Sequence, residues 1–104
     1  MLNERRARLS HDAATGDARV VVEDGSSAAE PAGAGKKKVV QLLLDARGRL
    51  VGVDLGGDGL HRQVVMIGRH EDVFATRDAE ATLYLDASQA VCELRIAGGK
   101  SLAG

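Results

Sequence analysis

Cysteine, proline and aromatic side chains are nearly absent from this chain. Its single cysteine, Cys92, cannot close an internal disulfide or supply a cysteine-based zinc site without other ligands, so a disulfide-stapled scaffold is excluded. One Tyr, one Phe and no Trp cannot build a stacking platform for bases. With 14 Lys+Arg against 15 Asp+Glu, the net charge of −1 lacks the basic excess of a nucleic-acid-binding surface. Long apolar runs are missing too: Val39–Leu44 is interrupted by Gln41 and is far too short to cross a bilayer as a helix. The opening residues, MLNERRARLSHDA, are basic with no apolar segment among them, so no secretory signal is expected. These absences lead to the expectation of a soluble cytoplasmic protein with no cofactor and no nucleic-acid or membrane partner.

What the chain does have is Val, Leu, Ile and Ala, with 13 Gly, in two segments of different grammar. Residues 1–36 carry few apolar side chains larger than Ala. Gly25–Lys38 (GSSAAEPAGAGKKK) has linker composition and the only proline, so this part reads as a mostly flexible N-terminal tail. One piece differs: residues 18–23 (ARVVVE) carry three successive valines between turn formers, and read either as a short strand able to add to a sheet edge or as an apolar patch within a disordered tail.

From residue 37 to 98, short apolar runs alternate with turn chemistry. Strands are predicted at Lys37–Asp45, Leu50–Leu55, Arg62–Ile67, Val73–Arg77, Ala81–Leu85 and Ala90–Ile96, and residues 99–104 form a C-terminal tail. This spacing predicts an all-β domain, a small six-stranded antiparallel meander closed into a roll or barrel. The last segment has two readings. Asp86 followed by Gln89 fits a helix capping box with Gly98 as its end, whereas Cys92, Leu94 and Ile96 alternate with Glu93 and Arg95 as in a strand. An internal echo favours the strand. Leu42–Gly57 (LLLDARGRLVGVDLGG) aligns without a gap with Leu83–Gly98 (LYLDASQAVCELRIAG) at an offset of 41, so both copies should be hairpins.

Two strands are apolar on both faces: Val39, Gln41 and Leu43 lie opposite Val40, Leu42 and Leu44, and Val64 and Met66 lie opposite Val65 and Ile67. The second face must be covered by barrel closure, by the Val20–Val22 strand or by another copy of the chain. This pattern makes Val39, Val40, Leu42, Leu44, Val65 and Ile67 the candidate partner interface, in a homo-oligomer or against another protein. The functional expectation is a non-enzymatic interaction module. The alternative is a regulatory domain binding a small anionic, nucleotide-like ligand through Gly56, Gly57, His61, Arg62 and Arg69, because cations flank one strand beside the Gly56–Gly59 turn.

Other residues carry chemistry with plainer readings. Val51–Gly59 (VGVDLGGDG) resembles the first phosphate-binding turn of sugar kinases and actin-like ATPases. Those folds are several times longer, and Asp58 stands where that family places a hydroxyl residue. Met66–Val73 (MIGRHEDV) is similar to the Gly-Arg segment of forkhead-associated domains, which put a Ser and a His further on; here Ser88 has no His after it. Arg5, Arg6 and Arg8 with Asp54, Gly56 and Gly59 resemble the paired motifs of PilZ-type cyclic-dinucleotide receptors, also small β-barrels. Gly56 replaces the family's Ser, the arginine spacing differs, and the gap between the motifs is longer. No family is assigned on these residues. His70, Glu71 and Asp72 are adjacent and would point to different sides of a strand, so they read as a solvated turn rather than metal ligands. Cys92 reads as core, Ser88 and Ser101 carry no nucleophile signature, and Lys36–Lys38 reads as protection of a strand edge. A catalytic reading would require His61, His70, Asp54 and Asp58 to converge in one cleft.

Overall fold

In the computed structural model, residues 3–11, 14, 16–23, 33–57, 62–87 and 91–97 are described. They form a closed barrel of seven strands. These are β1 (Asn3–His11), β2 (Ala18–Val22), β3 (Lys36–Leu44), β4 (Leu50–Gly56), β5 (Gln63–Met66), β6 (Ala75–Leu85) and β7 (Val91–Ile96). The order around the barrel is β1, β2, β7, β6, β3, β4, β5. Strand directions cannot alternate all the way round an odd ring. One parallel pair is therefore unavoidable, and it is β1 with β5. The strands are strongly staggered: the register chain His11–Ala18–Ile96–Ala81–Lys38 leads from the end of β1 to the start of β3.

Val20, Leu42, Val53, Val65, Ala81 and Leu94 meet in the interior. Closure is thus what covers the inner face of β3 and β5. It uses the N-terminal segment expected to be a mostly flexible tail. The predicted strand at 18–23 is β2, paired to β7, and β1, which was not anticipated, links β2 to β5. β1 escapes a count of large apolar residues because a barrel strand needs them only on alternate positions. Ala7 and Leu9 pack on the core, while Arg6 and Arg8 stay outside.

The strand count differs from the expectation at a second place. Val73–Arg77 and Ala81–Leu85 merge into β6, because Asp78, Ala79 and Glu80 continue the ladder opposite Gln41, Val40 and Val39. Ala79 packs on the core and the two carboxylates are exposed, so Asp78 and Glu80 stand on the outer face of a continuous strand rather than in a turn. Residues 91–96 are strand, not helix, and Gln89, Gly98 and the C-terminal tail lie outside the described residues, as does most of the linker, residues 24–32.

Both echoed segments are hairpins, with matching registers. Leu42 faces Val53 and Leu44 faces Leu50; Leu83 faces Leu94 and Leu85 faces Val91. Each hairpin carries its register shift at the same step, leaving Val51 in one and Cys92 in the other as the extra, outward residue. The β3·β6 ladder pairs Val39 with Glu80, which are equivalent positions of the repeat, so a pseudo-twofold axis crosses the sheet there. β5 lies antiparallel on β4 as β2 lies antiparallel on β7. Six strands obey this symmetry, and β1 closes the remaining gap.

Candidate functional site

Of the six residues expected to form a partner interface, five are occupied within the barrel. Val40, Leu42, Leu44 and Val65 belong to the interior cluster and Ile67 packs against it half-buried, while Val39 is 65% exposed. The outer face of β4 and β5 carries a second apolar cluster of Val51, Val64 and Met66, with Leu43 and Val73 packed on it. Val73 belongs to the segment 67–74, which folds back across this face like a strap. Ile67 and Gly68 donate their N–H groups to the Val51 carbonyl (2.7 and 2.8 Å). The Arg6 guanidinium donates to the Gly68 and Ile67 carbonyls (2.8 and 3.3 Å), and His70 Nε2 lies 3.0 Å from Glu4 Oε2. The apolar outer faces of β3 and β5 are therefore covered in part by the chain's own strap.

Among the residues expected to bind an anion, Gly56, Gly57 and Arg62 come together, lining a cleft of about 360 Å³ with Lys38 and Gln41. Gly56 and Gly57 have φ of 80° and 121°, a region that favours glycine and lets the chain leave β4 sharply. Arg62 is already engaged: its guanidinium grips Asp54 through Nε (3.0 Å) and Nη2, while the Gly56 N–H donates to the other carboxylate oxygen (2.8 Å). Burial pushes the Asp54 carboxyl up, but the bonds from Arg62 and Gly56 outweigh it and hold the group below its ordinary value. Arg69 follows β5 whereas Arg62 precedes it, so they sit at opposite ends of that strand. His61, Asp58 and Gly59 lie outside the described residues. His70 does not join Asp54; its partner Glu4 is on β1, with Val64 of β5 between them in the sheet.

The three N-terminal arginines are also occupied. Arg5 reaches across to the Val91 carbonyl (2.6 Å), Arg6 holds the strap, and Arg8 pairs with Glu23 (3.3 Å). On the outer face of β2 and β7, Glu93 is buried and accepts from Arg19 Nη2 (2.6 Å) and Arg95 Nε (3.0 Å), and the Arg95 guanidinium stands 5.4 Å from the Tyr84 ring centre. Burial raises the Glu93 carboxyl, and the two arginines outweigh that and bring it below its ordinary value. A Cβ on Gly35 would lie 2.9 Å from the Tyr84 ring and closer still to the Thr82 methyl, so any side chain there requires both to move. Cys92 is buried, as expected, with Sγ 3.4 Å from the Tyr84 carbonyl, and burial pushes its thiol up.

The remaining feature is a groove that residue-by-residue reading missed. One wall is the β3–β4 turn, 45–49. Asp45 organises it: Oδ1 accepts from the Arg47 and Arg49 N–H groups (2.8 and 2.9 Å), Oδ2 accepts from Arg49 Nε (3.1 Å), and Gly48 adopts φ 79°. The Arg49 N–H bond leads in holding Asp45 below its ordinary carboxylate value. The other wall is the strap, with its 3-10 turn His70–Asp72. Between them lies a space of about 440 Å³ lined by Arg47, Glu71, Asp72, Val73 and Phe74. An adjoining pocket of about 250 Å³ reaches down to Leu9, Leu50, Val51 and Ile67. Phe74, the chain's only Phe, is 75% exposed at this groove, and its N–H is held by the Leu44 carbonyl (2.7 Å). A sequence signal existed: Phe74 precedes β6 in the same alternation as Thr76, Asp78 and Glu80, and those polar members mark their face as solvent-side.

Fold and groove together define a small closed β-barrel with a packed interior and an aromatic side chain displayed outside. No family model, curated protein or solved structure matches the chain. Among the described residues, no helix is long and apolar enough to cross a membrane, and no group of three His, Cys, Asp or Glu is placed to hold a metal ion.

Proposed function

We propose that this protein is a non-enzymatic interaction module of the cytoplasm that docks on a protein surface through the groove at Phe74. The observation that carries this reading is the exposure of Phe74: among the described residues, Phe74 and Val39 are the large apolar side chains left exposed, and the others are buried or half-buried. Aromatic anchors beside preformed pockets are the residues that dominate docking energy, and both walls of this groove are pinned by hydrogen bonds. Truncating such an anchor costs on the order of 2 kcal/mol of binding, about thirtyfold in affinity. The test is a photo-crosslinking amino acid in place of Phe74, in the cell that makes the protein. Discrete crosslinked species are expected, absent when the same group replaces exposed Lys37. An absence of any species specific to position 74 contradicts the reading.

A second reading, a regulatory domain for a small anionic ligand, draws on Lys38, Arg62, Gly56 and Gly57 lining one cleft. It ranks lower because Asp54 and Asp78 line the same cleft and balance both cations. A ligand at 100 times its dissociation constant adds about 2.7 kcal/mol to stability. No thermal shift with a panel of nucleotides counts against it.

A further inference from the structure

We propose that the partner at the Phe74 groove is a second copy of this chain, paired about a twofold axis through Phe74. This rests on the docking reading above and names the occupant. The groove carries opposite charges on its two walls: Arg47 on the β3–β4 turn, Glu71 and Asp72 on the strap. All three are exposed, and no ion pair engages their side chains among the described residues. Arg49, in contrast, is taken up by Asp45. A surface that meets itself about a twofold axis must be self-complementary, because each residue faces what its own partner position presents. One wall cationic, the other anionic, with the exposed Phe74 ring in the same lining, satisfies that condition: a twofold rotation sets Arg47 of each copy against Glu71 and Asp72 of the other, and brings the two Phe74 rings together. The chain's net charge of −1 sets up no long-range repulsion between copies. An unrelated partner would need to supply both signs in the same arrangement, whereas a second copy already does.

The experiment is sedimentation equilibrium of the full chain at loading concentrations up to about 0.5 mM, with charge-swap variants. The wild type is expected to be a dimer that weakens as salt is raised, and Phe74→Ser a monomer. Arg47→Glu alone sets like charges together, as does the pair Glu71→Lys with Asp72→Lys, and each variant is expected to lose about tenfold or more in self-affinity. Mixed one to one, these two variants present opposite charges at both contacts and should form a heterodimer. A misfolded variant could not be rescued in this way, so recovery separates charge from folding. A wild type that stays monomeric overturns the proposal, as does a mixture that fails to associate beside a dimeric wild type. The crosslinking at position 74 separates the two levels: species at twice the chain mass support both, species of other mass support docking and overturn the pairing of copies, and none overturns both.

Discussion

The two hairpins are the same in backbone and opposite in outer chemistry. On the outside of β3, β4 and β5 stand Leu43, Val51, Gly52 and Met66, an apolar layer covered in part by the strap. At the equivalent positions of β6, β7 and β2 stand Tyr84, Cys92, Glu93 and Val21, with the Arg19–Glu93–Arg95 cluster across them. Register and bulge are held in common by the inward residues, Leu42, Leu44 and Val53 in one copy and Leu83, Leu85 and Leu94 in the other. Inward positions specify the sheet, because a slip by one residue would turn every buried side chain outward. Outward positions are not under that constraint, and each half has its own cover.

The largest break in this comparison comes from inside. Leu42 is fully buried and its counterpart Leu83 only partly, so Leu42→Ala should cost about 2–5 kcal/mol and Leu83→Ala clearly less. Urea unfolding of the two variants decides; equal losses would mean the halves do not pack as described. A smaller effect separates the outer layers. A Cβ on Gly52 would lie 2.7 Å from Met66 Sδ and 2.8 Å from the Val65 carbonyl, so Gly52→Ala should cost about 1–3 kcal/mol by overpacking. A thermally neutral Gly52→Ala would remove Met66 from that face.

The smallest expected effect is electrostatic. Glu93→Gln removes the carboxylate that Arg19 and Arg95 share, and because both arginines are partly exposed, solvent limits the loss to about 1 kcal/mol. Its pH dependence has a definite sign. The folded carboxyl titrates below its ordinary value of 4.5, so the unfolded chain binds the proton first. The pair's contribution is present at neutral pH, declines as pH falls through that ordinary value, and is gone below the depressed folded value. The acid limb of the stability curve should therefore be flatter for Glu93→Gln than for wild type; identical limbs would place Glu93 outside the cluster.

The hairpins were legible because short apolar runs are bounded by turn residues, and because the echo of Leu42–Gly57 in Leu83–Gly98 favours the strand reading of residues 91–96. β1 was not, since Ala7 and Leu9 are too little to mark a strand until its neighbours β2 and β5 supply the rest of the wall. The charged triplet at Asp78–Glu80 hid the continuity of β6 in the same way. Of the three covers that the two-faced apolar runs allow, barrel closure, the Val20–Val22 strand or another copy, closure with β2 in the ring absorbs Val40, Leu42 and Val65. The groove depends on residues 45–49 meeting residues 67–74, a tertiary contact with no trace in local pattern.

The claim on which the rest stands is that the N-terminal strands are part of the barrel. Removing them would open the ring at β5 and β7 and expose Val65 and Leu94 to water. The direct measurement is urea unfolding of a fragment spanning residues 37–98 beside the full chain. The barrel described predicts no cooperative transition for the fragment. A fragment that unfolds cooperatively with the stability of the full chain would contradict it, and would return residues 1–36 to the role of a tail.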